Sequence, residues 1–118
     1  MKLTKSEAIA NHRKMWNWIA DETLKRKGRV AKSEYFEAHG VRVLDIPLSR
    51  CYCCEYVNNR NCADCSDCPI DWGGKYGSCT DINILNNEKG LFSLWCDESD
   101  YIKSAELAKR IAELPERK

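Results

Sequence analysis

Apolar residues recur at helical spacing at both ends of this chain, and the middle lacks any such period. Near the amino terminus Ile9, His12, Trp16, Ile19, Ala20 and Thr23 fall three or four positions apart, with Met15 beside them. That spacing is one buried face of a helix. Thr4-Lys5-Ser6-Glu7 stands ahead of it as a capping box, the Thr4 hydroxyl accepting from the backbone N–H near Glu7 while Glu7 reaches back. The pattern predicts an amphipathic helix over residues 4–26. Trp16 and Trp18 project about 200° apart on such a helix, so Trp18 is expected outside its core or under another element. Lys25-Arg26-Lys27-Gly28-Arg29 reads as the helix end, with cations at the negative pole and Gly28 in the left-handed cap position. At the other terminus Ile102, Ala105, Ala108, Ile111 and Ala112 form a stripe behind the cap Ser99-Asp100 and ahead of Pro115. This places a second helix within 99–114.

The segments between are shorter. Ser33 is read as the cap of a helix from Glu34 to His39, stopped by Gly40, and Val41 to Ile46 as an extended piece of alternating character before Pro47. Ile70 to Gly77 is a glycine-rich turn region carrying Trp72; no Gly-Lys-Ser/Thr follows Gly73-Gly74, so it is not a phosphate-cradling loop. Asn83 to Lys89 is polar and turn-like, and Leu91 to Cys96 is a compact apolar stretch read as a short helix.

Six of the eight cysteines fall between Cys51 and Cys68. Cys51/Cys54 and Cys65/Cys68 each have the C-x-x-C spacing that lets one turn present two thiolates to a metal, and Zn²⁺ takes four such ligands tetrahedrally. The spacer between the pairs is shorter than the roughly 15–20 residues common in such sites, which implies a compact knuckle over 51–68. Cys51, Cys54, Cys65 and Cys68 are the expected ligands, because Pro69 fixes the chain where the knuckle closes. Cys62/Cys65 is an overlapping pair and leaves a second choice open, with Cys53 between the first two. Cys79 and Cys96, like an unused Cys62, suit buried apolar positions. A disulfide framework needs an oxidising compartment, whereas Met1-Lys2-Leu3-Thr4-Lys5 opens no apolar leader; reduced thiols are expected. His12 and His39 are read as packing or capping residues rather than ligands.

These elements amount to a mainly α fold with a small irregular or β part, one domain over 1–118, in which two amphipathic terminal helices bracket a zinc-stapled cysteine knuckle. A structural metal suits a 118-residue chain with so little apolar pattern in its middle. No run of about 18 apolar residues predicts a membrane span, and a cytoplasmic protein is expected. Charge changes the picture further: the net +1 divides into +6 over residues 1–32, −7 over 33–100 and +2 over 101–118. A nucleic-acid-binding zinc module presents a basic face; here the cysteine segment is acidic. Thiolate-only ligation is the pattern of a closed structural site rather than a catalytic one, and the deaminase H-x-E signature is absent, so no enzyme is expected.

Leu3 to Ile9 with His12-Arg13-Lys14-Met15-Trp16, Cys51-Tyr52-Cys53-Cys54-Glu55-Tyr56 with Cys65 to Trp72, and Ile111 to Pro115 together resemble small cysteine-rich proteins of bacteriophages and prophages. Among phage proteins of this size the chain is similar to the anti-CRISPR inhibitors of Cas9 that bear zinc. The resemblance covers most of the chain and implies a phage-encoded, protein-binding inhibitor acting in the bacterial cytoplasm, with a structural metal on Cys51, Cys54, Cys65 and Cys68. Cas9 holds guide and target in a positively charged channel, which an acidic segment complements. Tyr52, Tyr56, Asp64, Asp67, Asp71 and Trp72 are the expected contact residues. The alternative is a phage zinc protein that binds nucleic acid or modulates host transcription through Lys25, Arg26, Lys27, Arg29 and Lys32.

Overall fold

The computed structural model describes residues 4–46, 52, 69–70 and 91–116, together with the backbone of 82–83 and 88–89. Helix α1 spans Lys5–Arg26, α2 Lys32–Ala38, α3 Leu91–Asp97 and α4 Tyr101–Ala112. A 3-10 turn covers Val43–Asp45, and β1 (Ile82–Asn83) pairs antiparallel with β2 (Glu88–Lys89), Ile82 opposite Lys89. The described residues are mainly helical, as the terminal periodicity requires. The two-residue strand pair is an addition to the polar stretch read around Asn83–Lys89.

Helix α1 begins at the capping box. The Thr4 hydroxyl accepts from the Glu7 N–H at 3.1 Å and the Glu7 carboxylate from the Thr4 N–H at 3.0 Å. The hydrogen bond from the Thr4 backbone holds the Glu7 carboxyl below its ordinary range. At the far end the left-handed residue is Lys27, with φ 55°, not Gly28. The N–H groups of Lys27 and Gly28 both return to the Thr23 carbonyl, so the last turn closes on the last buried residue of the face and the chain reverses one position before the glycine.

Helix α2 starts earlier than the Ser33 reading. Its cap is Ala31, whose N–H donates to the Glu34 carboxylate at 2.8 Å; the return half of a capping box lies three residues after the cap. That bond, and the Arg26 guanidinium beside it, hold the Glu34 carboxyl low. Gly40, at φ 62°, ends the element. The following residues form the 3-10 turn rather than an extended piece. Arg42 and Asp45 are joined at 2.8 Å, a pairing at separation three that a strand would send to opposite faces.

The core is built on α1 against α4. The helices run antiparallel: Lys5 pairs with Glu116 at 3.3 Å, the His12 ring bonds the Ile111 carbonyl at 3.1 Å, Arg13 donates to the Leu114 carbonyl at 3.3 Å, and Lys109 donates to Asn17 at 2.8 Å. Buried alanines on both helices, Ala8 and Ala20 on α1 and Ala105, Ala108 and Ala112 on α4, keep the side-chain layer thin. Helix α3 closes one side through Trp95, which meets Trp16 edge-on with ring centroids 4.8 Å apart. Helix α2 closes another with Tyr35 and Phe36. Trp18 lies half-buried under this second element, edge-on to Tyr35 and His39.

Ile102 departs from the predicted stripe. It is 49% exposed, because at 3.6 residues per turn it points about 120° from Ala108, the centre of the buried face. Ser104 takes the inward place; the Asp100 carboxylate caps the helix by accepting from the Ile102 N–H at 2.9 Å. The Ser104 hydroxyl is buried without a hydrogen-bond partner among the described residues.

Three substitutions test these assignments by thermal or denaturant unfolding. Ser104→Ala removes a desolvated, unpaired hydroxyl and raises stability by about 1 kcal/mol; a loss would show that the hydroxyl is hydrogen-bonded. Lys27→Gly relieves a left-handed side-chain residue and raises stability by roughly 1 kcal/mol, whereas Gly28→Ala is near neutral because the glycine's own φ is not left-handed.

Candidate metal centre

Buried core residues stand at both ends of the cysteine segment, Tyr52 and Ile70. Tyr52 is 8% exposed, with its ring 6.0 Å from that of Phe36. Burial, with a smaller contribution from nearby Tyr35, pushes its phenol up to about 12, so it stays neutral at physiological pH. Pro69 is buried, Ile70 is fully buried, and Ile70 forms an antiparallel bridge with Glu116 just past α4. Glu116 is also the residue that Lys5 reaches from the start of α1. The outgoing stem of the segment is therefore tied to the carboxyl terminus, and through it to α1.

Tyr52 thus belongs to the core, packed against Phe36. A side chain wedged against Phe36 contacts a partner only by leaving that packing. Cys51, Cys54, Cys65 and Cys68 lie outside the described residues, as do Cys53, Cys62, Cys79, Tyr56, Asp64, Asp67, Asp71 and Trp72. Among the described residues no three His, Cys, Asp or Glu side chains converge on a metal position. The chemistry of the remaining donor set suits zinc: soft thiolates, in pairs three apart, carried by a segment whose two stems are fixed in a core.

The groups that would compete for a chemical role are engaged elsewhere. The fully buried His12 bonds the end of α4, and His39 Nδ1 lies 2.9 Å from the Tyr35 carbonyl with its ring tilted over Tyr35. Both are packing and capping groups, as their sequence positions imply. Cys96, half-buried on α3, has its thiol pushed up by burial, against the opposing pull of Arg29 and Lys32. A thiol held in its neutral form packs rather than attacks. In the basic run, Arg26 is held by Glu22 at 3.0 Å and by Glu34, and its guanidinium lies over Trp18. Arg29 lies over the Trp95 ring at 5.3 Å. Arg26 and Arg29, both among the cations of the nucleic-acid reading, are thereby engaged within the fold.

One exposed feature went unread in the sequence. Val43 and Leu44 are 84% and 89% exposed on the 3-10 turn that precedes the cysteine segment. The alternation of Val41, Val43 and Asp45 with Arg42, Leu44 and Ile46 suggests an extended segment; the signal for a turn is the Arg42–Asp45 pair itself. Compared with protein families, curated proteins and solved structures, the chain matches none. Among the described residues no helix is long and apolar enough to cross a membrane.

Metal analysis of purified protein under reducing conditions is expected to give about one zinc per chain. Cys51→Ser and Cys68→Ser should abolish retention, and Cys62→Ser should leave it intact. Loss of zinc in Cys62→Ser with retention in Cys68→Ser would move the second pair to Cys62/Cys65.

Proposed function

We propose that this chain is a non-enzymatic zinc-stapled binding protein whose acidic cysteine segment docks on a basic surface of a host protein, and that the partner is Cas9, held away from its DNA target. Charge segregation carries the reading: −7 over residues 33–100 between flanks of +6 and +2. Four thiolates closing on Zn²⁺ add a formal −2 to that segment, since the ion supplies +2 and each thiolate −1. Complementary charge of this size accelerates encounter and orients the partner more than it adds affinity.

The short-range contacts would come from the aromatics and apolar side chains beside that charge. Tyr56 and Trp72 are assigned this role, and the exposed pair Val43 and Leu44 joins them, while Tyr52 packs against Phe36 in the core. Interfaces concentrate their energy in a few such anchors surrounded by polar contacts. The basic run after α1 is the less favoured docking face, because Arg26 is doubly paired with carboxylates and Arg29 stacks on Trp95. A nucleic-acid role would need those side chains free for phosphate.

The experiment is capture of Cas9 loaded with guide RNA by the zinc-quantified protein, followed by a target-DNA binding assay. Stoichiometric capture with loss of DNA loading is the expected result. The triple variant Asp64→Lys, Asp67→Lys, Asp71→Lys should lose capture while keeping its zinc; undiminished affinity overturns the acidic docking face. No capture by the unaltered protein overturns Cas9 as partner. A salt-sensitive mobility shift with nucleic acid alone would put the basic end in its place.

A further inference from the structure

We infer that α4 carries a self-complementary stripe of charge on which two copies of the chain associate, their α4 helices antiparallel about a two-fold axis at the level of Ala108. All residues of the stripe are among the described ones, and none belongs to the cysteine segment. At about 100° per residue, Lys103, Glu106, Arg110 and Glu113 lie within roughly 40° of the line opposite Ala108, the centre of the buried face. These four are exposed, whereas Ser104, Ala105, Ala108, Ile111 and Ala112 are buried. Glu106 stands four residues before Arg110, the spacing and order at which such side chains pair within a helix. The ion pairs among the described residues nevertheless join Lys5 to Glu116, Arg26 to Glu22 and Glu34, and Arg42 to Asp45; none takes a charge of the stripe.

The order of signs selects the partner. Along the stripe it runs plus, minus, plus, minus, with no net charge, so neither a phosphate backbone nor a surface of one sign matches it. A second copy does. Lys103 and Glu113 stand five positions either side of Ala108, and Glu106 and Arg110 two either side. An antiparallel two-fold sets Lys103 against Glu113 of the second copy and Glu106 against its Arg110, and each pair occurs twice. Parallel helices would set every charge against its own kind. Apolar surface lies beside the charges. Leu94 of α3, 39% exposed, and the half-buried Leu107 lie in an open groove of about 310 Å³ whose other walls are Glu98, Lys103, Glu106 and Arg110. The two-fold keeps the α3 sides of both copies together, so the two grooves join into one strip with Leu107 a single position from the axis. Ile102, 49% exposed, flanks the stripe on its other side. Burial of these side chains supplies attraction, while the charges fix direction and register.

The test is sedimentation equilibrium of the full chain, kept reduced so that its cysteines do not cross-link, at chain concentrations rising to millimolar. The unaltered chain should show a monomer–dimer equilibrium that weakens as salt rises. Glu106→Arg and Arg110→Glu each turn two attractive pairs into two repulsive ones and should weaken association about 10-fold. Circular dichroism checks that these exposed changes leave the helices intact. The double variant, with the signs exchanged, should regain association. Mixing the two single variants should give a heterodimer tighter than either variant forms with itself, because every charge then meets its opposite. An unaltered chain that stays monomeric, or a dimer undiminished by both single reversals, overturns the proposal. Failure of the mixed variants to pair overturns it as well. If the unaltered chain is monomeric and Arg110→Glu loses Cas9 capture, the face belongs to that partner instead.

Discussion

The antiparallel contact of α1 with α4 is the constraint on which the other described elements depend. Neither helix is self-sufficient: α4 is twelve residues long, at the lower edge of what forms alone in water, and its carboxyl-terminal carbonyls need partners. Helix α1 provides them from the side. His12 reaches the Ile111 carbonyl and Arg13 the Leu114 carbonyl, so the first half of one helix finishes the last turn of the other. A buried imidazole in the middle of an amphipathic face is costly unless hydrogen-bonded. Here its bond falls on the Ile111 carbonyl in the last turn of α4, which turns a polar intrusion into a device that fixes axial register. A slip of one turn would strand the ring.

The remaining helices attach to that pair through aromatic rings. Trp16, on the same stretch of α1, carries Trp95 of α3, and Trp18 two residues on meets Tyr35 of α2. The two tryptophans diverge on the helix, so α1 serves as a central strut with a different neighbour on each side. Arg26 and Arg29 then lie over Trp18 and Trp95, using cations at the helix end to cover aromatic faces. A charge cluster that resembled a nucleic-acid patch is in good part an internal lid on these rings.

Legibility in the sequence followed the length of the pattern. The α1 face repeats over five turns, and its capping box is a local chemical signal, so both its start and its buried residues could be read directly. The α4 face repeats over three turns, and one error entered: Ile102 was placed inward for its apolarity, although geometry sends it out and takes Ser104 in. The errors at Lys27 and Ala31 have a common cause. Residue type favoured Gly28 and Ser33, while the hydrogen bonds that fix the caps belong to Thr23 and Glu34, the partners rather than the cap residues. At Val41 to Ile46 the alternation was real but too short to outweigh one Arg42–Asp45 pair. The candidate site, whose proposed ligands lie outside the described residues, rests on C-x-x-C spacing and acidic charge, and its support was not legible. Nothing local announces that Tyr52 and Ile70 are core residues, because their partners lie sixteen and forty-six positions away.

That support sets the conditions under which a cysteine segment of this kind can hold a metal. Closing a flexible loop of this length costs on the order of 2–3 kcal/mol in chain entropy. A segment dangling from the chain would meet that cost at the moment of binding. Here folding meets it beforehand, since Tyr52 and Ile70 are both buried in the core that α1 and α4 create. Preorganised ends leave more of the thiolate–metal interaction to appear as affinity. The basic, helical termini therefore supply the core in which residues at both ends of the cysteine-rich stretch, Tyr52 and Ile70, are buried.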